Sequence, residues 1–170
     1  MAKKQNAKLK KKEEKFISGL SEKLILFFLL EFLAVSALCL GIWYFIGEFY
    51  QSAIFFVAKH LLFAMGYSSA QISAVNLSKA YLGNFNLVPL IALAIVTPRW
   101  RLRDRIEMLV IGIPLLFLLH VMDLVAHFPM YFQGSGIAQA IVYSIGVAGV
   151  ALPFIIWFML LYTKQTGYQS

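Results

Sequence analysis

The stretch VIGIPLLFLLHVMDLVAHF, from Val110 to Phe128, decides how the rest of the chain is interpreted. It is apolar enough to cross a bilayer, yet it contains His120, Asp123 and His127. At about 100° per residue, the three side chains fall on one face of a helix. Ionisable groups at membrane depth are costly, and they usually face a protein partner or a wet cavity. The role of this helix therefore depends on the side chains that the other segments bring to this face.

The composition is that of an integral membrane protein. Of the 170 residues, 61% are hydrophobic and 14% are charged, and the mean hydropathy is +0.77, whereas about half of a soluble domain is apolar. The net charge of +7 is clustered, because 8 of the 15 Lys and Arg residues lie in 1–23 and 4 lie in 99–105. Basic clusters beside apolar runs indicate membrane orientation and contact with lipid headgroups rather than nucleic-acid binding. The single cysteine, Cys39, excludes an internal disulfide.

The apolar runs predict an all-α fold, a four-helix transmembrane bundle over 24–164 that follows a basic cytoplasmic tail over 1–23. The predicted spans are 24–47, 83–98, 106–128 and 137–162. The segment 51–67 is also apolar but contains Lys59 and His60. We expect this segment to form a separate helix at the outer membrane interface. Whether it also enters the membrane stays open.

The distribution of Lys and Arg predicts the orientation. With the N-terminus inside, the inner side holds 13 of these residues, which are the tail, the turn over 99–105 and Lys164. The outer side holds two, Lys59 and Lys79. By the positive-inside rule, both termini are cytoplasmic and the protein is a multi-pass protein of the cell inner membrane.

This orientation brings polar side chains together on the outer side of the membrane. The third span runs outward, so its two histidines and its aspartate lie in its outer half, near the outer ends of the second and fourth spans. The predicted binding pocket consists of Asn84, Asn86, His120, Asp123, His127 and Ser135. On the inner side, the predicted contacts with lipid headgroups or a cytoplasmic partner are Arg99, Arg101, Arg103 and Arg105.

Several kinds of chemistry remain open for the pocket. Histidine and carboxylate on one helical face recur in metal sites, but His120 and His127 are about 10.5 Å apart along the helix. No second ligand motif is present, although His60 could add a ligand, and we expect no metal and no cofactor. His120 as a base oriented by Asp123 would suit an enzyme, but a convincing nucleophile is lacking. The simplest alternative is structural, with His120 and Asp123 hydrogen-bonded to Asn84, Asn86 or a neighbouring subunit.

From about Phe49 to Trp157, the chain resembles the exosortase/archaeosortase family of membrane transpeptidases. The family pattern has a Gly-ended apolar segment, a span opening with Cys-Ser-Gly, a basic cytoplasmic turn, a span ending in Asn-x-x-Arg and a last span preceded by His. The corresponding residues here are Gly66, Gly83-Asn84-Phe85-Asn86, Arg99–Arg105, Leu118–Asp123 and Gly134-Ser135-Gly136. His120 stands where the family has Asn, Asp123 stands where it has Arg, and the nucleophilic Cys and the His are both missing.

The resemblance implies a homologue without transpeptidase activity, an accessory protein in protein sorting or exopolysaccharide systems. We therefore expect a non-enzymatic inner-membrane accessory or assembly subunit. Its outer pocket would bind a partner helix or a membrane-anchored peptide, with membrane lipids around it and no nucleic acid. The alternatives are a membrane enzyme of the peptidase or transferase kind that uses His120 and Asp123, and a small subunit of a larger membrane complex.

Overall fold

A computed structural model describes residues 22–75 and 84–167, and within these ranges the chain is helical with no strand. The predicted tail up to residue 21, Lys79 and Gly83 lie outside the described residues. The helices are α1 (Glu22–Ala64), α2 (Ser69–Ala74), α3 (Leu87–Val96), α4 (Leu102–Gln133) and α5 (Gly136–Gly167).

Three of these helices are long and apolar enough to cross a membrane. The spans in question are Leu24–Ala64, Leu102–Gln133 and Gly136–Lys164. Their outward surfaces are apolar along most of their length, which is typical of helices in contact with lipid. The all-α class and the assignment to membrane proteins are confirmed at this level.

The predicted break after residue 47 is wrong, because α1 runs without interruption through the segment predicted as a separate interfacial helix. The reason is a continuous inward-facing seam at helical spacing that crosses the predicted boundary. The buried residues of this seam are Trp43, Gly47, Gln51, Ile54, Ala58 and Leu62. Lys59 and His60 lie outside the seam and are exposed. At 1.5 Å per residue, the 43 residues of α1 extend about 64 Å, roughly twice the thickness of the hydrocarbon core.

The second predicted span is a much shorter helix, since α3 has 10 residues. Pro89 is in its first turn, where the missing N–H costs no helical hydrogen bond. Pro98 holds the preceding Thr97 in extended backbone, with ψ of 116°, and α3 ends there. Seven of its ten side chains are buried, so α3 is enclosed by protein rather than lipid.

The helices surround two hydrophobic cores. The first, called the α3 core, consists of α3 side chains packed between the three long helices. Its buried members are Trp43, Leu87, Val88, Leu90, Leu93, Ala94, Met108, Leu116 and Ile156. The second, called the α2 core, joins α1 and α4 with the short helix α2. Its buried members are Ile54, Ala58, Leu62, Tyr67, Ile72, Val121, Leu124 and Phe128.

The two ends of the molecule are defined by its turns. At the arginine end, α3, the turn over 97–101 and the start of α4 meet the last turns of α5. Phe28 of α1 stacks there on Trp157 of α5, with ring centroids 5.9 Å apart. At the glycine end, Gly134 in left-handed backbone, with φ of 60°, closes α4 and the chain returns as α5. The α3 core is nearer the arginine end and the α2 core nearer the glycine end.

Candidate functional site

A layer of polar side chains lies between the two cores. The hydroxyl of Tyr50 on α1 shares a hydrogen bond of 2.9 Å with Nδ1 of His120 on α4. Only 3% of His120 is exposed, and its Nε2 is buried without a hydrogen-bond partner among the described residues. Tyr50 packs against both cores. His120 is therefore part of an internal pair and does not lie open at the outer surface.

The predicted pocket residues Asn84 and Asn86 join this layer, but they do not contact His120 through hydrogen bonds. Asn84 Nδ2 donates to Oε1 of Gln51, the neighbour of Tyr50, over 2.8 Å. Asn86 is buried at the start of α3 and faces Gly149 of α5, where a Cβ would lie 2.6 Å from Asn86 Nδ2. Glycine at position 149 therefore lets the Asn86 side chain lie directly against α5, and a larger residue there would displace that side chain.

The depth of the layer follows from the helical rise. From Thr97 back to Asn86, α3 rises about 16 Å, close to half of a hydrocarbon core of about 30 Å. Thr97 is at the arginine end, because its carbonyl oxygen accepts a hydrogen bond from Arg105. If the arginine end lies at one membrane surface, the first turn of α3 would lie near the middle of the bilayer. A helix that begins at membrane depth is tolerated only where protein encloses its free backbone groups.

Asp123 and His127 form a second polar group, separate from His120. His127 Nδ1 donates to the main-chain oxygen of Asp123 over 2.7 Å, and it lies 3.6 Å from the Oδ2 atom of the Asp123 carboxylate. The two side chains are 28% and 27% exposed, respectively. Within 22–75 and 84–167, no Lys or Arg forms an ion pair with Asp123. The pair is thus open at the side of the bundle, with a carboxylate that lacks a cationic partner there.

A shallow apolar groove runs along the first half of α5. It is formed by the side chains of Ile137, Ala140, Ile141, Ser144, Ile145 and Ala148. Small residues recur at every fourth position from Gly136, through Ala140 and Ser144, to Ala148. Because α4 and α5 run antiparallel from the turn at Gly134, the groove and the Asp123–His127 pair share the glycine-end half of the bundle. Surfaces of this kind allow another helix to approach closely.

Ser135, also predicted in the pocket, caps a helix instead. Its Oγ accepts a hydrogen bond from the N–H of Ala138 over 3.3 Å, which satisfies a free donor at the start of α5. Nearby, Gln133 donates to the hydroxyl of Tyr67, so the glycine end is held by polar contacts. Ser135 is therefore not part of the Asp123–His127 pair.

The four arginines of the predicted basic contact surface have different roles. Arg105 turns inward and donates to main-chain carbonyl oxygens of Ile95, Thr97 and Trp100, which closes the end of α3. The N–H of Arg101 donates to the carboxylate of Asp104 over 3.1 Å at the start of α4. Arg99, which has a left-handed backbone with φ of 64°, and Arg103 have exposed side chains.

This geometry bears on the alternatives of metal binding and catalysis. In the part of the chain that the structure describes, no three His, Cys, Asp or Glu side chains come together as a metal-binding group. His120 is bonded to Tyr50, and Asp123 is next to His127, so the structure does not bring His120 and Asp123 together as base and orienting carboxylate. Neither Asn84 nor Asn86 is hydrogen-bonded to His120 or Asp123, so the predicted structural network is also replaced by different pairs.

Comparison of the chain with protein-family models, with curated proteins and with solved structures finds no match.

Two members of the polar layer were missed by the sequence analysis. Tyr50 is not among the predicted pocket residues, and Gln51 is in the segment 51–67, which was expected to form an interfacial helix. The signal that would have found them is the inward seam of α1, in which Gln51 lies four residues after Gly47 and three before Ile54. A polar residue on an otherwise apolar inward face indicates a buried hydrogen-bond partner.

Proposed function

We propose that the protein is a non-enzymatic accessory or assembly subunit of a membrane complex. Its role is to bind a partner's transmembrane helix, or a peptide anchored in the membrane, at the half of the bundle that contains Asp123. A Lys or Arg of that partner would complete the ion pair that Asp123 does not form with the described residues.

The observation that carries the proposal is the partly exposed Asp123–His127 pair on a helix that is long and apolar enough to cross a membrane. A carboxylate in such a helix is costly unless it meets a cation or a wet cavity. The only ionisable partner near Asp123 among the described residues is His127. The groove on α5 supports the proposal, because a second helix in the same half of the bundle would find small side chains to pack against.

The proposed topology is a four-helix arrangement in the inner membrane with both termini cytoplasmic. The charge distribution supports this orientation. The contact between Phe28 and Trp157 supports it as well, since it places the start of α1 and the end of α5 at the same end of the molecule. In this arrangement α3 crosses only the cytoplasmic half of the bilayer.

A relationship to exosortases remains a hypothesis that depends on the sequence pattern alone. It would make the partner an active exosortase or the sorting signal of its substrate. The substitution of Asp123 for the family's Arg fits a subunit that receives a cation.

The first experiment purifies a tagged chain in mild detergent and identifies co-eluting membrane proteins by mass spectrometry. We expect a stoichiometric partner with the wild-type chain and a loss of at least about tenfold in its recovery with Asp123→Asn, since one member of a desolvated charge pair is removed. The matched control is Glu48→Gln, which removes an exposed carboxylate from α1 close to Tyr50 along the chain. A wild-type chain that elutes alone, or a partner recovered equally with Asp123→Asn, would contradict the proposal.

A further inference from the structure

Some charged side chains at the arginine end have partners and others do not. Lys164 Nζ lies 3.1 Å from a carboxylate oxygen of Asp104 and 2.6 Å from one of Glu107, so both acidic side chains of the first turns of α4 are already paired. Arg105 is fully engaged with the carbonyl groups at the end of α3. These contacts leave no acidic side chain of this group free to neutralise the remaining arginines.

Arg99 and Arg103 are the remaining cations in question. Both side chains are exposed, and neither forms a hydrogen bond or an ion pair with any residue in 22–75 or 84–167. They lie four positions apart, on either side of the point where α4 begins. Two guanidinium groups without acidic partners favour a phosphate ligand, because guanidinium binds phosphate through two parallel hydrogen bonds.

The surroundings of these two arginines are apolar. Leu102, between them in sequence, is 72% exposed, and Ile106 is exposed one turn further along α4. Trp100 is half-buried beside Arg99, and indole rings are enriched at membrane–water interfaces. Exposed apolar side chains next to unpaired arginines match a molecule that has both a phosphate and acyl chains. A nucleic acid or a phosphopeptide would leave Leu102 and Ile106 in water.

We propose that Arg99 and Arg103 form a binding site for the headgroup phosphate of an anionic phospholipid, with Leu102 and Ile106 against its acyl chains. The site is on the opposite end of the molecule from Asp123, and it does not depend on the proposed function. The charge distribution places it in the cytoplasmic leaflet, where anionic lipids attract basic segments next to transmembrane helices.

The test measures lipid binding to the full-length chain in mild detergent by native mass spectrometry and by the shift in melting temperature. The probes are phosphatidylglycerol and phosphatidylcholine of identical acyl chains. We expect the wild-type chain to bind and be stabilised by phosphatidylglycerol in preference to phosphatidylcholine. In the double variant Arg99→Gln/Arg103→Gln, the affinity for phosphatidylglycerol should fall by at least about tenfold.

The matched control is Lys10→Gln/Lys11→Gln, which removes the same charge from the tail and should leave the preference nearly unchanged. An equal loss in this control would show diffuse attraction and overturn the proposal, as would a wild-type chain that does not distinguish the two lipids. Inorganic phosphate is the third probe. If it stabilises the chain as much as phosphatidylglycerol does, the site binds anions rather than lipid, and the proposal is wrong. The wild-type comparisons hold even if the double variant does not fold.

Discussion

The α3 core and the α2 core contrast in how completely their polar groups are satisfied. Around the α3 core, Trp157 donates to the hydroxyl of Thr97, Arg105 closes the end of α3, and Lys164 pairs with two carboxylates. Beside the α2 core, Asp123 and His127 are partly exposed and have no cationic partner among the described residues. In the arginine-end half these polar groups are paired, and the surface side chains of Arg99 and Arg103 described above are exceptions. In the glycine-end half, the carboxylate of Asp123 lacks a cationic partner among the described residues.

A comparison of α1 with α3 shows that an apolar helix can contact either lipid or protein. The most apolar 18-residue window of α1 has no buried residue, whereas seven of the ten residues of α3 are buried. A helix that crosses the bilayer gains stability from lipid contact on any side, but a helix of ten residues depends on its neighbours. The α3 core is therefore where tertiary packing determines stability, and the exposed surfaces are where substitutions are tolerated.

The largest expected effect is that of Leu90→Ala, in the centre of the α3 core. Leu90 is completely buried and meets Gly112 of α4, so its truncation leaves a cavity. We expect a loss of about 2–5 kcal/mol in the free energy of unfolding, measured by thermal or denaturant unfolding in detergent. Leu118→Ala, on the exposed surface of α4, is the control and should change stability little. Equal losses would mean that α3 is not the packed centre.

The next effect tests the layer between the cores. Tyr50→Phe removes the hydroxyl that bonds His120 and leaves a buried ring nitrogen unpaired. We expect a destabilisation of about 1–3 kcal/mol. The exposed Tyr44 provides the control, because Tyr44→Phe also removes one hydroxyl from α1. The double variant Tyr50→Phe/His120→Leu should regain part of the loss, since both polar partners are then gone; no recovery would argue against the pair.

A smaller effect distinguishes the two faces of α5. Gly149→Ala places a methyl group against the Asn86 side chain, so we expect a loss of about 1 kcal/mol, reduced by movement of that side chain. Gly146→Ala meets open space and should be neutral or slightly stabilising. A larger loss from Gly146→Ala than from Gly149→Ala, in the same unfolding assay, would contradict the packing of α3 against α5.

The smallest expected effect on stability is that of Asp123→Asn, in the glycine-end half. Asp123→Asn should change the stability of the isolated chain by no more than about 0.5 kcal/mol, because Asp123 is only loosely paired within it. The same substitution is expected to abolish most partner recovery. A large destabilisation of the isolated chain, seen in the same melting assay, would show that Asp123 is structural.

The sequence predicted what depends on local pattern. The helical class, the apolar helices over most of 24–164, the basic turn and the polar face of the third predicted span all follow from periodicity and charge. The continuity of α1 is also encoded in its inward seam, whereas the polar side chains of Lys59 and His60 favoured a separate interfacial helix. Local pattern therefore predicted which helices and turns contain the ionisable residues.

The partners of those residues could not be predicted, because they depend on where α3 begins and how deep it lies. Asn84 and Asn86 were expected to meet His120 and Asp123, but α3 brings them to Gln51 and to Gly149. The ten-residue helix begins about one turn later than the predicted span, so Asn84 and Asn86 precede the helix instead of lying within it. Single-sequence hydropathy cannot distinguish the two, since both consist of apolar residues that end before Pro98.

Arg105 has a consequence for how the protein is made. The chain leaves the ribosome from its N-terminus, so α3 is complete before Arg105 has been synthesised. At about 15 Å, α3 is too short to cross the bilayer, and its last carbonyl groups have no donor until Arg105 arrives. We therefore expect α3 to remain at the membrane surface until α4 has been synthesised. The two helices would then enter the membrane together as a helical hairpin.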